Sequence, residues 1–250
     1  MPLPSSLNKK VNKRDFEMKS TMINGVKTYG VDSFDELINF AMGTPSILVA
    51  INAEKIYHAT DYTRTIINKN IGYPDGIGAV YALRKKGIPQ RKRIPGCDLW
   101  LEIIKKHYKT KSFYLIGAKP EIIESTVKKL KIDYPEINIV GYRDGYLADE
   151  KERKKLTEDI MSKKPDVVFV ALGSPRQELL MMDLFEQHKA LYQGLGGSFD
   201  LFVGVVKKTP SFFQNNGFHW LYRALQQPSR IRRHQALFSF IFNLYFTNKY

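Results

Sequence analysis

Cysteine is nearly absent. The 250-residue chain has one, Cys97, which excludes an intrachain disulfide and a cysteine-based zinc cluster and fits a reducing compartment. No run approaches the roughly 18 apolar residues needed to cross a bilayer. The first twenty residues carry five basic side chains but no apolar core, so they read as a basic flexible tail over residues 1–20 rather than a secretory signal. Acidic residues are scarce: Lys plus Arg outnumber Asp plus Glu 39 to 25, a net charge of +14, and none follows Asp200. Such a field attracts polyanions, whether nucleic acid, anionic lipid or phosphorylated substrate, without choosing among them.

Familiar motifs are missing too. There is no G-x-G-x-x-G after the first strand-like run, which disfavours a dinucleotide dehydrogenase. There is no G-x-x-x-x-G-K-[ST], H-E-x-x-H or G-x-S-x-G. No Asp-x-Asp pair is present to hold a metal against a nucleotide diphosphate. A diphosphate leaving group handled here is therefore stabilised by Arg, Lys and helix N-termini. His58, His107, His188, His219 and His234 show no metal spacing and read as surface or core side chains. Cys97 reads as a buried small residue at the start of a helix over Asp98–Tyr108.

What is present is an alternation. Thr21–Gly30 reads as a hairpin turning at Asn24-Gly25. Asp32–Met42 reads as a helix capped by Asp32 or Ser33. Ile47–Ile51, Ser112–Ile116, Ile137–Gly141, Val167–Leu172 and Leu191–Leu195 are short apolar runs separated by helical patterns. The pattern predicts an α/β fold: a Rossmann-like, mostly parallel sheet with helices on both faces, spanning residues 21–205. Residues 206–250 read as a basic and aromatic, membrane-associating helical appendage. In its last part, Leu237, Phe238, Phe240, Ile241, Phe242, Leu244, Tyr245 and Phe246 nearly encircle a helix. That predicts burial by lipid, by a subunit or by the domain's own core.

Ligands in such sheets bind beyond the carboxyl ends of the strands. Asn52, Gly117, Gly173–Glu178 and Gly196–Asp200 fall there. Asp75, in Pro74-Asp75-Gly76, fits either a helix N-cap or a general base for an alcohol. Arg93 fits either a phosphate contact or a solvated face shared with Arg91 and Lys92. Gln177 and Glu178 fit either a cleft wall or a helix cap, and Asp200 either a diol acceptor or a second N-cap. The basic, aromatic end also fits a nucleic-acid-binding protein, the competing reading, which predicts steeply salt-dependent binding of DNA or RNA.

Eight ordered segments resemble the WecG/TagA/CpsF glycosyltransferases, glycosyltransferase family 26. They are INAEK (Ile51–Lys55), YPDGIG (Tyr73–Gly78), RIPGCDL (Arg93–Leu99), FYLIGAKP (Phe113–Pro120), GYRDGY (Gly141–Tyr146), PDVVFVALGSPRQE (Pro165–Glu178), GGSFD (Gly196–Asp200) and FHWLYRALQQPSRIRR (Phe218–Arg233). The resemblance implies an inverting, metal-independent transfer, with no cofactor, from a UDP-sugar donor to a polyprenyl-diphosphate-linked acceptor in teichoic acid, capsule or related polysaccharide synthesis. It implies work at an anionic membrane surface on the cytoplasmic side, no nucleic-acid partner, and leaves a homo-oligomer open. It assigns Asp75 as base and Asn52 and Arg93 as active-site residues. It puts Gln177 and Asp200 near the donor, where the strand-end glycines Gly117, Gly173 and Gly197 are also expected to approach a ligand, and Arg223, Arg230 and Arg233 on diphosphate or acceptor. Ala50 stands where many members carry Thr, which removes a hydroxyl near the sugar.

Overall fold

A computed structural model describes residues 18–207 and 231–247. Arg223 and Arg230 lie outside the described residues, as does nearly all of the basic N-terminal tail. Arg233 falls within the last helix, but its side chain is also outside the description.

The chain opens with an antiparallel hairpin, β1 (Ser20–Ile23) and β2 (Val26–Tyr29). It continues through α1 (Phe34–Met42), β3 (Ser46–Ile51), α2 (Ala53–Tyr57), α3 (Asp61–Asn68), β4 (Ile71–Pro74), α4 (Ile77–Lys85) and α5 (Gly96–His107). Next come β5 (Ser112–Gly117), α6 (Pro120–Asp133), β6 (Asn138–Arg143), α7 (Glu150–Lys163), β7 (Val167–Ala171), α8 (Arg176–Gln187), β8 (Leu191–Gly194) and α9 (Ser198–Phe202). The last described element is α10 (Ile231–Phe246). Ser33, not Asp32, caps α1, its side chain accepting from the Glu36 amide.

Strands β3 to β8 form one six-stranded sheet in the order β4-β3-β8-β7-β5-β6, every pairing parallel. All five apolar runs read from the sequence are strands of it. The sequence reading missed β4. Ile71–Pro74 is only four residues, contains Gly72 and ends in Pro74, which cannot donate to a ladder. It is tolerated because β4 is an edge strand, and all four of its residues are buried.

Apart from the edge strand β6, which is half-buried to exposed, the strands are buried on both faces, and the period of two sorts their side chains. Leu48, Phe113, Leu115, Val167, Phe169 and Leu191 face α1, α5 and α6. Ile47, Val49, Ile51, Tyr114, Ile116, Val168, Val170 and Tyr192 face α2, α4, α7, α8 and α10. Trp100 of α5 anchors the first layer, edge-on to Phe169, Phe199 and Phe202 with centroids 5.2–5.6 Å away. Burying each such ring contributes roughly 1.5–3 kcal/mol.

Between β3 and β8 the winding changes sides. Helix α2, after β3, packs on the second layer, while α9, after β8, brings Phe199 into the first. A crevice opens at such a switch point.

Helix α10 is less encircled than its sequence implies. Phe240 and Leu244 are buried in the second layer beside α2 and α4, and Ala236 is buried as well. Phe238, Phe242, Tyr245 and Phe246 are exposed. One face is thus intramolecular core and the opposite face is an open aromatic surface. Lys85 of α4 fastens the helix end, donating to the Leu244 carbonyl and lying 5.3 Å from the Tyr245 ring centroid. Among the described residues no helix is long and apolar enough to cross a membrane.

Candidate active site

A cavity of about 640 Å³ lies over the carboxyl ends of β3, β4, β7 and β8. Its size falls within the ~300–1,000 Å³ of small-molecule sites.

At one end stands Asp75. The amides of Asp75 and Gly76 both donate to the Ile51 carbonyl, at 3.0 and 3.2 Å, which pins this turn to the end of β3. Asp75 does not cap its own helix: Gly76 is the N-cap of α4, with no side-chain bond. The carboxylate turns instead to α5, where Oδ1 accepts from the Gly96 amide at 2.7 Å. Oδ2 takes no hydrogen bond from a described residue, and Asp75 lines the cavity. Beneath it lies a buried polar layer. Gln193 Nε2 donates to the Gly96 carbonyl at 3.2 Å and to the Tyr73 hydroxyl at 3.5 Å. Burial, with the charge of Asp75 added, pushes the Tyr73 phenol well above its ordinary value, so it stays neutral.

Asn52 sits beside this turn. It caps α2, its Oδ1 accepting from the Lys55 amide at 2.9 Å, and it lines the cavity. Arg93 is half-buried while Arg91 and Lys92 are exposed, so it does not share their solvated face. It lines the cavity with Nη1 3.5 Å from the Asp75 carbonyl.

At the other end two glycine loops face each other. Gly173 (φ +75°) and Gly196 (φ +58°) adopt left-handed backbone, and a Cβ on either would meet nothing. Gln177 holds them together: its Oε1 accepts from the Gly173 amide at 3.2 Å and from the Gly196 amide at 2.9 Å. Glu178, next along α8, is buried and ion-paired with Lys55 at 2.6 Å. Cationic Lys55 and Arg93, acidic Glu54, Asp75 and Glu178, and the ring of His58 share one wall system. Among the described residues no cluster of three His, Cys, Asp or Glu could hold a metal ion.

The cavity thus has a carboxylate at one end, glycine backbone at the other and the cations Lys55 and Arg93 in its wall. The profile of the Glycosyl transferase WecG/TagA/CpsF family matches residues 23–249. The chain belongs to this family. It is a glycosyltransferase of cell-surface polysaccharide biosynthesis, a class that works between sugar-nucleotide donors and lipid-linked acceptors.

In this WecG/TagA/CpsF glycosyltransferase the cavity gathers Asn52, Asp75, Arg93, Gly173, Gln177 and Gly197 from five separate segments. Gly117 and Asp200 do not line it. Gly117 is packed instead against β7, where a Cβ would lie 2.3 Å from the Ala171 carbonyl oxygen. Asp200 is in the first turn of α9, whose N-cap is Gly197 without a side-chain bond. Cys97 is half-buried in the cavity wall rather than in the core, because α5 starts at the rim. The sequence singles out neither Lys55 nor Gln193, and it reads His58 as a surface or core side chain and Cys97 as a buried small residue. INAEK contains Lys55, but only its distant ion pair with Glu178 draws it inward.

Proposed function

We propose that the protein transfers a sugar from a UDP-sugar, N-acetylmannosamine or a related HexNAc or hexuronic acid, to a polyprenyl-diphosphate-linked saccharide, with inversion and without a metal. The observation that carries this reading is the Asp75 carboxylate, held at the cavity wall by Gly96 with its second oxygen unengaged by any described residue. A sugar hydroxyl ionises far above pH 7, so its attack needs a positioned acceptor for its proton. Asp75 Oδ2 takes that proton as the hydroxyl oxygen bonds to the anomeric carbon from the face opposite UDP. The bond from that carbon to the diphosphate oxygen breaks, and the electron pair leaves with UDP. Arg93, together with Arg233 of the last helix and Arg223 and Arg230 outside the described residues, supplies charge for the departing diphosphate. From Asp75 to Gly173 the site crosses four strands, β4, β3, β8 and β7. Three spacings of about 4.8 Å make roughly 14 Å, room for an extended nucleotide sugar.

The exposed rings of Phe238, Phe242, Tyr245 and Phe246 support contact with an anionic membrane on the cytoplasmic side, where a polyprenyl acceptor resides. The test is a screen of UDP-sugars against a short polyprenyl-diphosphate-GlcNAc analogue, read by mass spectrometry. The expected product is the acceptor enlarged by one sugar, with UDP released. A full panel yielding no product would end this reading.

A further inference from the structure

The Lys55–Glu178 pair has no part in the transfer step above, yet it is one of the most enclosed ion pairs among the described residues. Its side chains are 16% and 6% exposed. Glu178 Oε1 receives both Lys55 Nζ at 2.6 Å and Gln177 Nε2 at 3.2 Å. Glu178 Oε2 is buried and receives nothing from any described residue. A carboxylate oxygen only accepts, so what satisfies it is an N–H or O–H donor. Leaving such an atom unpaired away from water is unfavourable enough that a site of this kind discriminates strongly for a ligand that brings the donor. Both residues line the cavity.

Their position says which part of a ligand they meet. Lys55 lies in α2, whose cap Asn52 abuts the Asp75 turn: a Cβ on Gly76 would come within 2.9 Å of Asn52 Cβ. Gln177, the other neighbour of Glu178, is committed to the Gly173 and Gly196 loops. Glu178 therefore stands between the carboxylate end and the glycine end, on the side of the reacting carbon. We infer that Glu178 is a donor-specificity residue, its second oxygen accepting a hydrogen bond from a hydroxyl or acetamido N–H of the sugar being transferred, with Lys55 fixing the carboxylate's orientation.

This rests on the proposed UDP-sugar reaction, and calorimetric titration of the full chain separates the two. The probes are UDP-N-acetylmannosamine, UDP-glucose and UDP, without acceptor. Glu178→Gln should weaken the tighter-binding UDP-sugar by about tenfold or more while leaving UDP within about twofold. Loss confined to the N-acetylated probe identifies the acetamido N–H, and equal loss for both sugars identifies a hydroxyl. Lys55→Gln leaves Glu178 in place and should give the same selective loss, smaller in size. It carries the test if the Glu178 variant does not fold. Equal weakening of UDP would move the contact to the nucleoside and overturn the inference, as would unchanged sugar-nucleotide affinity in both variants. Failure of the unaltered protein to bind any of the three probes would overturn the UDP-sugar reading itself.

Discussion

The Gly96 amide lies 2.7 Å from Asp75 Oδ1, although 21 residues separate them. Gly96 is the first residue of α5, whose N-cap, Pro95, offers no side chain to the helix. The amides of a helix's first turn have no partner within the helix, and its dipole favours an anion there. Asp75 is that anion, supplied by a different loop. One contact thus caps α5 and sets the carboxylate's orientation. Gln193 and Tyr73, packed under Gly96, keep the capped turn from tilting.

Asp75→Asn keeps the size of the side chain and its acceptor for the Gly96 amide but removes the basic oxygen. Transfer should fall by about 10²–10⁴-fold, the usual contribution of a general base, while UDP affinity stays within about twofold. Single-turnover kinetics beside calorimetry decide the matter, and normal turnover in a purified assay would end the assignment.

Gly96→Ala should destabilise the protein and slow transfer together. The new Cβ would fall 2.6 Å from the Tyr73 hydroxyl and 3.6 Å from Asp75 Oδ1. Such overpacking costs about 1–3 kcal/mol. Tyr73→Phe in the same chain removes the clashing oxygen, so the double variant should recover most of the lost stability in urea titration. A penalty that Tyr73→Phe does not relieve would mean that the clash lies elsewhere.

The two faces of α10 should behave differently. Phe240→Ala empties a fully buried position shared with α2 and α4 and should cost about 3–5 kcal/mol. Phe238→Ser with Phe242→Ser and Phe246→Ser changes exposed rings only, so the urea midpoint should hardly move. Binding to vesicles rich in anionic lipid should nevertheless fall, as read by co-sedimentation. Unchanged sedimentation in the triple variant would contradict the membrane contact. These substitutions are a cleaner test than deleting the helix, which would also strip α2 and α4 of their cover.

Asp166 gives a pH test of the scaffold. Burial pulls its carboxyl upward, but hydrogen bonds from the Ser112 amide and hydroxyl and from Lys111 outweigh that and hold it below its ordinary value. A depressed folded value contributes stability above the unfolded value, near 3.8, that is lost as pH falls through the folded one. Asp166→Asn should therefore lower the urea midpoint at pH 7, by an amount equivalent to about 1 kcal/mol for this partly exposed group. The difference between the two proteins should shrink toward pH 3. A gap that stays constant with pH would rule out the charge as its origin.

Much of the scaffold was legible because its signals are local. Five of the six sheet strands announced themselves as apolar, β-branched runs, and the Asn24-Gly25 hairpin as a turn pair. Strand β4 did not, since four residues holding Gly72 and Pro74 resemble a loop until β3 is beside them. The rim positions Asn52, Gly173 and Gln177 could be read from where strands end, and Asp75 from its proline-glycine turn. Arg93 could not be told from Arg91 and Lys92, because a run of three charges carries no record of which one faces inward.

The order of short apolar runs settles the α/β class, and the ordered family motifs the kind of enzyme, from the amino-acid string. They do so because hydrophobic period and turn chemistry act over a few neighbouring residues. Folding alone decided that Asp75 meets Gly96, that Lys55 meets Glu178, and that Phe240 faces the core while Phe242 faces outward. Each pairing joins groups from different elements, and partner choice across such distances depends on how helices and strands stack, which no local pattern encodes.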